Sequence, residues 1–423
     1  MNFSDLLPPF EQRGMDLSLE RMQRALKALH HPCRSVPAVQ VVGTNGKGSI
    51  ASFVHSAMVH AGIRSGITTS PHLVDWTERI RVGSTQISSE ELRQRLEDLR
   101  PLAESEVLTP FERLMTAALV HFEQAKLEWL VLEAGLGGRL DASTAHSNRP
   151  ILAVASIGLD HCEHLGNSLT AVAREKAAAI TPGATVISGH QANEVSSVFA
   201  QECAQKGAQL CWVDPLDSSW HLGLAGNVQR SNAAVAKAVL EQVGRLGWSI
   251  TDTSIREGLA AARWPGRLQS TQWQTKPVLI DGAHNPPAAD ALARERHHWP
   301  HQSTGITWIL GIQAHKQAPA MLRSLLKPQD QAWIVPVPGH RSWTRAQLVQ
   351  SDASWAGQLH ALPAIQPPCP ESDAVEQVLR CLEQRGWPAA APVIAGSLYL
   401  IGHLLKQNTL QPGPALPLIN DLM

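Results

Sequence analysis

Short apolar runs alternate along the chain with longer stretches in which apolar residues recur at helical spacing. This alternation is typical of α/β proteins, in which helices cover buried parallel strands. The apolar runs predict two series of strands. The first series is 39–42, 130–132, 151–154 and 185–187, and the second is 278–280, 306–310, 332–335 and 392–395. The predicted fold class is therefore α/β.

The two series of strands are separated by the segment 263–267 (RWPGR), where proline and glycine interrupt the helical pattern. A chain of 423 residues exceeds the size of one ordinary hydrophobic core, so two or three domains are expected. We therefore predict a first domain over 1–267 and a smaller second domain over 268–423.

The first predicted strand leads into the glycine-rich segment 43–49 (GTNGKGS), which precedes helix-compatible sequence. A strand, a glycine-rich turn and a helix start together point backbone N–H groups at phosphate oxygens, and Lys47 adds a positive charge. The common P-loop has four residues before Gly-Lys and a Ser or Thr directly after it. Here only two residues precede the pair and Gly48 intervenes before Ser49, which disfavours a generic kinase or GTPase. A purely structural glycine turn is the alternative.

Two candidate metal ligands follow predicted strands. A carboxylate at the carboxyl end of a strand beside a phosphate loop, as at Glu133, suits Mg²⁺, although Glu133 alone could equally form a salt bridge. His161 lies in the segment 159–164 (LDHCEH) and is interpreted as part of a Mg²⁺/nucleotide site, with an ordinary loop histidine as the alternative. Zinc is disfavoured, because the spacing fits no structural zinc pattern and HExxH is absent.

Lys176 falls on the apolar side of a predicted helix that Asn167 or Ser168 would cap. It lies four residues after Val172 and seven after Leu169, on the same stripe. A lysine that points inward has a lowered pKa, and its neutral amine can react with CO₂ to form a carbamate that could ligate a metal. A lysine that snorkels to solvent at the edge of the stripe is the alternative.

Composition narrows the class of protein. Hydrophobic residues make up 43% and charged residues 17% of the chain, and the formal net charge is −1. These values indicate a globular protein without bulk attraction to nucleic acid or anionic lipid. No apolar run reaches the ~18 residues of a membrane helix. The cysteines form no CxxC pair and no secretory leader is evident, so we expect a reduced, cytoplasmic protein.

The ordered set of motifs resembles the bifunctional dihydrofolate synthase/folylpolyglutamate synthase family of bacteria, within the wider group of Mur-type ligases. The motifs span almost the whole chain and are 43–49 (GTNGKGS), 69–73 (TSPHL), 78–82 (ERIRV), 133–141 (EAGLGGRLD), 159–161 (LDH), 174–177 (REKA), 265–267 (PGR), 281–286 (DGAHNP) and 396–400 (GSLYL). The resemblance implies a Mur-ligase-like P-loop ATPase domain with a parallel-rich sheet, followed by a smaller Rossmann-like α/β ligase domain.

The resemblance also implies the roles of individual residues. ATP would be bound by Asn45, Gly46, Lys47, Gly48, Asn232, Arg267, Asp281 and His284. Two Mg²⁺ ions are implied, one held by Ser70 and Glu133 and the other served by His161 and a carbamylated Lys176. Lys47, His161 and Lys176 would be the catalytic residues. The dihydropteroate pocket would be formed by Asp16, Leu17, Thr109, Phe111, Leu140, Asp141, Ala142 and Ser143, although Asp16 alone could also be a helix cap.

Three stretches depart from the family pattern. The family usually reads Leu-Asp-Ala-Thr-Asn where this chain has Ser143 and Thr144 at the last two positions. The segment 311–317 (GIQAHKQ) lacks the two acids of the usual Asp-Lys-Asp, and nothing in 352–371 is recognisable. These changes concern the pterin side and the second domain, and not the phosphate loop.

The implied activity is ATP- and Mg²⁺-dependent ligation of L-glutamate to dihydropteroate and to reduced folates through an acyl phosphate. Its partners would be these small molecules, without nucleic acid or membrane, and we expect a monomer. Possession of only one of the two activities is one alternative, and a non-catalytic nucleotide-binding regulator is another. A cell-wall Mur ligase is disfavoured by the segment 70–73 (SPHL).

Overall fold

The computed structural model describes residues 3–7, 17–362 and 374–414. The chain divides into two compact units. Unit 1 comprises Met1–Gly223 and Val228–Trp264, and unit 2 comprises Leu224–Asn227 and Pro265–Met423. The division between Trp264 and Pro265 falls within the segment 263–267.

Unit 1 is built on a mixed sheet with strand order β4-β3-β2-β5-β1-β6-β7-β8 among the described residues. Neighbouring strands from β2 to β8 in that order are parallel, whereas β3 and β4 pair antiparallel at one edge. The strands are β1 (Ala38–Val42), β2 (Ser65–Thr68), β3 (Ile80–Val82), β4 (Thr85–Gln86), β5 (Trp129–Glu133), β6 (Ile151–Val154), β7 (Thr185–Gly189) and β8 (Gln209–Val213).

Helices cover both faces of this sheet, because its central strands are buried on each side. They are α1 (Leu19–Ala28), α2 (Lys47–His60), α3 (Ser89–Asp98), α4 (Arg100–Ser105), α5 (Pro110–Gln124), α6 (Cys162–Leu165), α7 (Leu169–Ala177), α8 (Asn193–Lys206), α9 (Asn227–Arg245) and α10 (Asp252–Ala261), with 3₁₀ turns at Trp76–Arg79 and Ala142–Ala145. No helix among the described residues is both long and apolar enough to cross a bilayer.

Unit 2 has its own sheet, of order β13-β12-β11-β14-β10-β9-β15, in which β13 to β10 are parallel and β9 and β15 are antiparallel. The strands are β9 (Gln269–Trp273), β10 (Lys276–Ile280), β11 (Thr307–Leu310), β12 (Gln331–Ile334), β13 (Leu359–His360), β14 (Val393–Ala395) and β15 (Gln411–Pro412). The helices are α11 (Pro286–Glu295), α12 (Ala318–Leu325), α13 (Arg345–Ser351), α14 (Ala374–Arg385) and α15 (Leu398–Lys406), with 3₁₀ turns at Arg296–His298, Gln302–Thr304 and Ala353–Gly357.

The α/β fold class is confirmed, and each apolar run that the sequence marked as a strand forms one, with boundaries shifted by at most a few residues. The structure adds the order of the strands. Glu133 on β5 pairs with Val41 on β1, and Val154 on β6 pairs with Val42. The carboxyl ends of three parallel strands therefore lie side by side, and the segments that follow them meet at one edge of the sheet.

Candidate active site

The glycine-rich segment 43–49 connects β1 to α2 and is held against the segment that follows β6. The main-chain N–H groups of Thr44 and Asn45 both donate to the carbonyl oxygen of Ser156, at 2.8 and 3.2 Å. The first backbone hydrogen bond of α2 runs from Ile50 to Gly46, so the amides just before Ile50 lie at the open N-terminal end of the helix. This end is a suitable place for phosphate oxygens.

Two glycines of the segment are in tight contact with side chains from elsewhere in unit 1. Gly46 has a φ of +96°, and a Cβ atom there would lie 2.6 Å from the Oδ1 atom of Asn232. A Cβ atom at Gly48 would lie 2.4 Å from the ring of Trp264. The structure therefore brings the predicted nucleotide residue Asn232 to the glycine-rich segment.

Lys47 begins α2, and its Nζ atom donates to the carbonyl oxygen of Thr44 at 3.3 Å. The side chain thus folds back over the segment where a phosphate would lie. This position gives the N-terminal end of α2 a full positive charge in addition to its helix dipole. The arrangement suits the stabilisation of a polyphosphate.

Lys176 points into the protein from α7, which begins after the capping residue Ser168 as the sequence predicts. The residue is only 3% exposed, and its Nζ atom donates to the carbonyl oxygen of Gly43 at 2.8 Å. Burial, reinforced by the charge of Lys47, lowers the pKa of this amine to about 7. The side chain therefore does not snorkel to solvent, and a substantial fraction of the amine is neutral near neutral pH.

Glu133 lies at the end of β5 and is 3% exposed. Its Oε2 atom accepts a hydrogen bond from the main-chain N–H of Ser70 at 3.0 Å, which brings both predicted ligands of the first metal together. A buried carboxylate and a serine hydroxyl at a strand end form an oxygen donor set of the kind Mg²⁺ prefers. The described residues contain no group of three or more His, Cys, Asp or Glu placed to hold a metal.

His161 caps α6 in a left-handed conformation, with a φ of +51°. Its ring nitrogens lie 3.9 Å from Asp160 and 3.8 Å from Glu163. The preceding stretch is tied to the glycine-rich segment, because the Thr44 hydroxyl donates to the Gly158 carbonyl oxygen at 2.9 Å. His161 is therefore on the segment that borders the phosphate loop, and its role in a second metal site stays a prediction.

The Asp141 carboxylate accepts hydrogen bonds from several residues of the predicted dihydropteroate pocket and the segment before it. It is 3% exposed, and its Oδ2 atom accepts from the main-chain N–H groups of Gly135 and Leu136 at 2.9 and 3.0 Å. Its Oδ1 atom accepts from both the main-chain N–H and the hydroxyl of Ser143. Burial raises the pKa of Asp141. These bonds fold the segment 135–144, which includes Leu140 and the buried Ala142, into one compact loop.

The remaining predicted acceptor residues lie at the start of α5 and α1. Thr109 caps α5, and its hydroxyl accepts from the main-chain N–H of Glu112. The ring of Phe111 packs on Gly135, where a Cβ atom would lie 2.9 Å from it, and Phe111 lines the same small cavity as Glu133. Leu17 is half-buried just before α1, and Asp16 lies outside the described residues.

The predicted nucleotide residues of unit 2 form a separate cluster. The Asp281 carboxylate accepts from the main-chain N–H groups of Leu268 and Ala283, both at 2.8 Å. Arg267 approaches the backbone after β10 so closely that a Cβ atom at Gly282 would lie 2.1 Å from its Nη1 atom. The Nδ1 atom of His284 donates to the carbonyl oxygen of Gly282 at 2.7 Å. The nucleotide contacts of these three predicted residues stay predictions.

Two residues that the sequence analysis did not single out lie beside the glycine-rich segment of unit 1. Trp264 covers Gly48, and the signal for it was the extra glycine between Lys47 and Ser49. Gln40 is a polar residue inside the buried strand β1, 0% exposed, and the signal for it was its place in an apolar run. Neither signal identified the residues contacted, because Trp264 is distant in sequence from Gly48, and Gln40 is distant from Ser143 and Thr144.

Comparison with known proteins gives consistent matches. The family model of the dihydrofolate synthetase C-terminal domain matches residues 266–407. A dihydrofolate synthetase of Saccharomyces cerevisiae is 31% identical over 93% of this chain and 98% of its own length. The crystal structures of Mycobacterium tuberculosis folylpolyglutamate synthase complexed with ADP and AMPPCP superpose with a TM-score of 0.83 at 26% identity, covering 94% of this chain and 96% of that one.

A further solved structure is that of a bifunctional folylpolyglutamate synthase/dihydrofolate synthase with Mn, AMPPNP and L-glutamate bound. It superposes with a TM-score of 0.79 at 28% identity and covers 94% of this chain and 96% of that chain. The similarity therefore extends over both units.

Proposed function

This chain belongs to the dihydrofolate synthase/folylpolyglutamate synthase family of carbon–nitrogen ligases, and from that premise we propose that it joins L-glutamate to dihydropteroate and to reduced folates at the expense of ATP. The observation that carries the proposal is the meeting of Lys47, Lys176 and Glu133 around the glycine-rich segment 43–49. The Lys47 ammonium, the buried amine of Lys176 and one buried carboxylate at a helix N-terminus suit the handling of a polyphosphate with a divalent ion.

The chain's own groups would act on the nucleotide mainly by position and charge. The open amides at the start of α2 and the Lys47 ammonium would hold the phosphates and stabilise the charge on the transferring group. The acceptor carboxylate oxygen would attack the γ-phosphorus, and ADP would leave to give an acyl phosphate. The glutamate amine would then attack the acyl carbon, lose a proton and expel inorganic phosphate, which forms the amide.

Ser70 and Glu133 would hold Mg²⁺, and their oxygen atoms fit that ion. Mg²⁺ bound there would neutralise charge on the phosphate oxygens. For a second ion we propose His161 and a carbamate on Lys176. The buried amine with a pKa of about 7 supports the carbamate, because the neutral form is the one that adds CO₂ and releases a proton.

The acceptor substrate would bind along the segment 135–144 and the start of α5, where Phe111 and Asp141 meet the Gly135 backbone. This site lies beside Glu133, so the acceptor carboxylate would reach the transferring phosphoryl group. We further propose a monomeric cytoplasmic protein that binds neither nucleic acid nor membrane. The net charge of −1 supports the absence of bulk attraction to nucleic acid or anionic lipid, and sedimentation velocity measures the oligomeric state directly.

The test is a pair of assays of ATP-dependent L-glutamate addition, one with dihydropteroate and one with a reduced folate. Turnover in both supports the bifunctional reaction, and turnover in only one assigns a single activity. Glutamate-dependent ADP release should disappear in the Lys47→Ala variant, which serves as the background control. ATP binding without turnover on either acceptor would contradict the proposal and favour a nucleotide-binding regulator.

A further inference from the structure

Gln40 lies at the middle of β1, three residues before the phosphate loop begins at Gly43, and its side chain is fully buried. We propose that Gln40 is a positioning residue that fixes the acceptor-binding segment 140–144 relative to the phosphate loop. The inference rests on the proposed function, because it assigns a residue to the placement of that reaction's acceptor. The neighbours of Gln40 on β1 are apolar, and burial of its polar carboxamide costs free energy unless the group is hydrogen-bonded.

The carboxamide of Gln40 has a fixed orientation. Its Nε2 atom donates to the hydroxyl oxygens of Ser143, at 2.8 Å, and Thr144, at 2.7 Å. Its Oε1 atom accepts from the Nη1 atom of Arg149. A guanidinium group can only donate, so the atom that faces Arg149 must be the carbonyl oxygen, and the NH₂ group must face the two hydroxyls.

The two hydroxyls cannot reverse their roles. Ser143 donates its only hydroxyl hydrogen to the Oδ1 atom of Asp141 at 2.6 Å, and Thr144 donates its own to the carbonyl oxygen of Gly138 at 2.6 Å. Each hydroxyl therefore needs a donor, and the amide of Gln40 supplies both hydrogens. All four hydrogen bonds are therefore donated in the same direction. Gln40 donates to the two hydroxyls, and these donate to the Asp141 carboxylate and the Gly138 carbonyl oxygen.

The other side of the network is anchored equally well. Arg149 also donates to the carbonyl oxygens of Ala179 and His146, both at 2.7 Å. The main-chain N–H of Arg139, next to Gly138, donates to the carbonyl oxygen of Glu175, one residue before Lys176. Gln40 thus links strand β1, which leads into the phosphate loop, to the acceptor-binding segment 140–144.

This link matters for phosphoryl transfer, because the acceptor carboxylate must lie in line with the γ-phosphate. A displacement of about 1 Å can cost roughly a hundredfold in rate. Loss of the two donated bonds would loosen the segment 140–144 while leaving the glycine-rich segment and Lys47 in place. The acceptor should then bind poorly, and ATP should bind as before.

The test is the Gln40→Glu variant, which keeps the shape of the side chain and an acceptor for Arg149 but cannot donate to Ser143 and Thr144. We expect the KM for dihydropteroate or reduced folate to rise about tenfold, while the KM for ATP changes less than about twofold. Thr144→Val removes one of the two hydroxyls and should show the same split at about half the logarithmic size. This second variant is decisive if Gln40→Glu does not fold.

Ser188→Ala is the matched control, because Ser188 is 1% exposed on the same sheet and its hydroxyl donates to the Gly189 carbonyl oxygen and accepts from the Nε2 atom of Gln191, and not from the residues that hold the segment 140–144. It should change the melting temperature without separating the two KM values. If the wild type ligates glutamate, two results for Gln40→Glu would overturn the role of Gln40. One is an equal change in both KM values, and the other is a lower melting temperature with both KM values unchanged. A wild type that ligates no glutamate would instead refute the proposed function itself.

Discussion

The ring of Trp264 fills the space that a side chain at Gly48 would occupy, since a Cβ atom there would lie 2.4 Å from the ring carbon Cζ2. Trp264 is held in this position by the packing of α10 on α2. The Ser52 hydroxyl on α2 donates to the carbonyl oxygen of Arg263 at 3.0 Å, one residue before the ring. The additional glycine after Lys47, which distinguishes this loop from the common P-loop, thus has a steric explanation.

We expect Gly48→Ala to raise the KM for ATP and lower the melting temperature, because the added methyl group must displace either the ring or the start of α2. Overpacking of this kind costs about 1–3 kcal/mol. Combination with Trp264→Ala should recover much of the loss in ATP affinity. Gly244→Ala on α9 is the control, since a Cβ atom there meets nothing within 4 Å. Equal ATP affinities for Gly48→Ala and Gly244→Ala would contradict the explanation.

Lys47→Ala should lower kcat/KM for glutamate ligation by roughly a hundredfold or more, because the transferring phosphoryl group loses its fixed positive charge. Steady-state ADP release measures this loss. Lys237→Ala is the control, because Lys237 is a lysine of α9 that pairs with Glu241 one helical turn away. Wild-type turnover in Lys47→Ala would remove this residue from the reaction.

Glu133→Gln should shift half-maximal activity to a higher Mg²⁺ concentration, because the amide can still accept from Ser70 but carries no negative charge. A Mg²⁺ titration at saturating ATP measures the shift, for which we expect about tenfold or more. Glu128→Gln changes a carboxylate just before the opposite end of β5, which pairs with Arg64. If both variants require the same Mg²⁺ concentration, Glu133 does not hold the ion.

Lys176→Ala should lose activity that a small carboxylic acid or high chloride partly restores, because either anion can replace the charge of a carbamate. Lys206→Ala is the control, since the Nζ atom of Lys206 also donates to main-chain carbonyl oxygens but lies on α8. Mass spectrometry of wild-type protein trapped under CO₂ should show the added carboxyl group at Lys176. An unmodified amine, with no rescue of the variant, would exclude the carbamate.

His55 should make the protein less stable in mild acid. Its Nε2 atom donates to the Gly83 carbonyl oxygen and its Nδ1 atom accepts from Ser65, and burial lowers the pKa of the ring to about 4. Between pH 6.5 and pH 4 the unfolded chain binds a proton that the folded chain does not, so stability falls as the pH falls. The effect reaches at most about 3 kcal/mol and vanishes above pH 6.5.

Calorimetry at pH 7 and pH 5 measures this dependence. His55→Gln should have a melting temperature that changes less between the two pH values than that of the wild type. His60→Gln should retain the wild-type change, because His60 is exposed at the end of α2. A wild-type acid dependence in His55→Gln would show that other groups cause the effect.

The sequence by itself placed Lys176 on an apolar stripe without deciding whether its side chain snorkels, and it determined eight of the strands, the glycine-rich loop and the cap of α7. Each of these depends on neighbouring residues, because the period of apolar positions and the chemistry of caps and turns act over a few residues along the chain. The ordered motifs then identified the family, since they fix residue types at the ends of particular strands.

Only the tertiary structure decided which distant groups meet. The pairing of Val41 with Glu133 and the bond from Lys176 to Gly43 depend on the order of strands in the sheet, which no local pattern contains. The same holds for Gln40, whose donor atom reaches Thr144 across 104 positions of the chain. Such contacts arise because burial forces separate segments into one core, where an unpaired polar group costs free energy and its partner is not encoded in the neighbouring sequence.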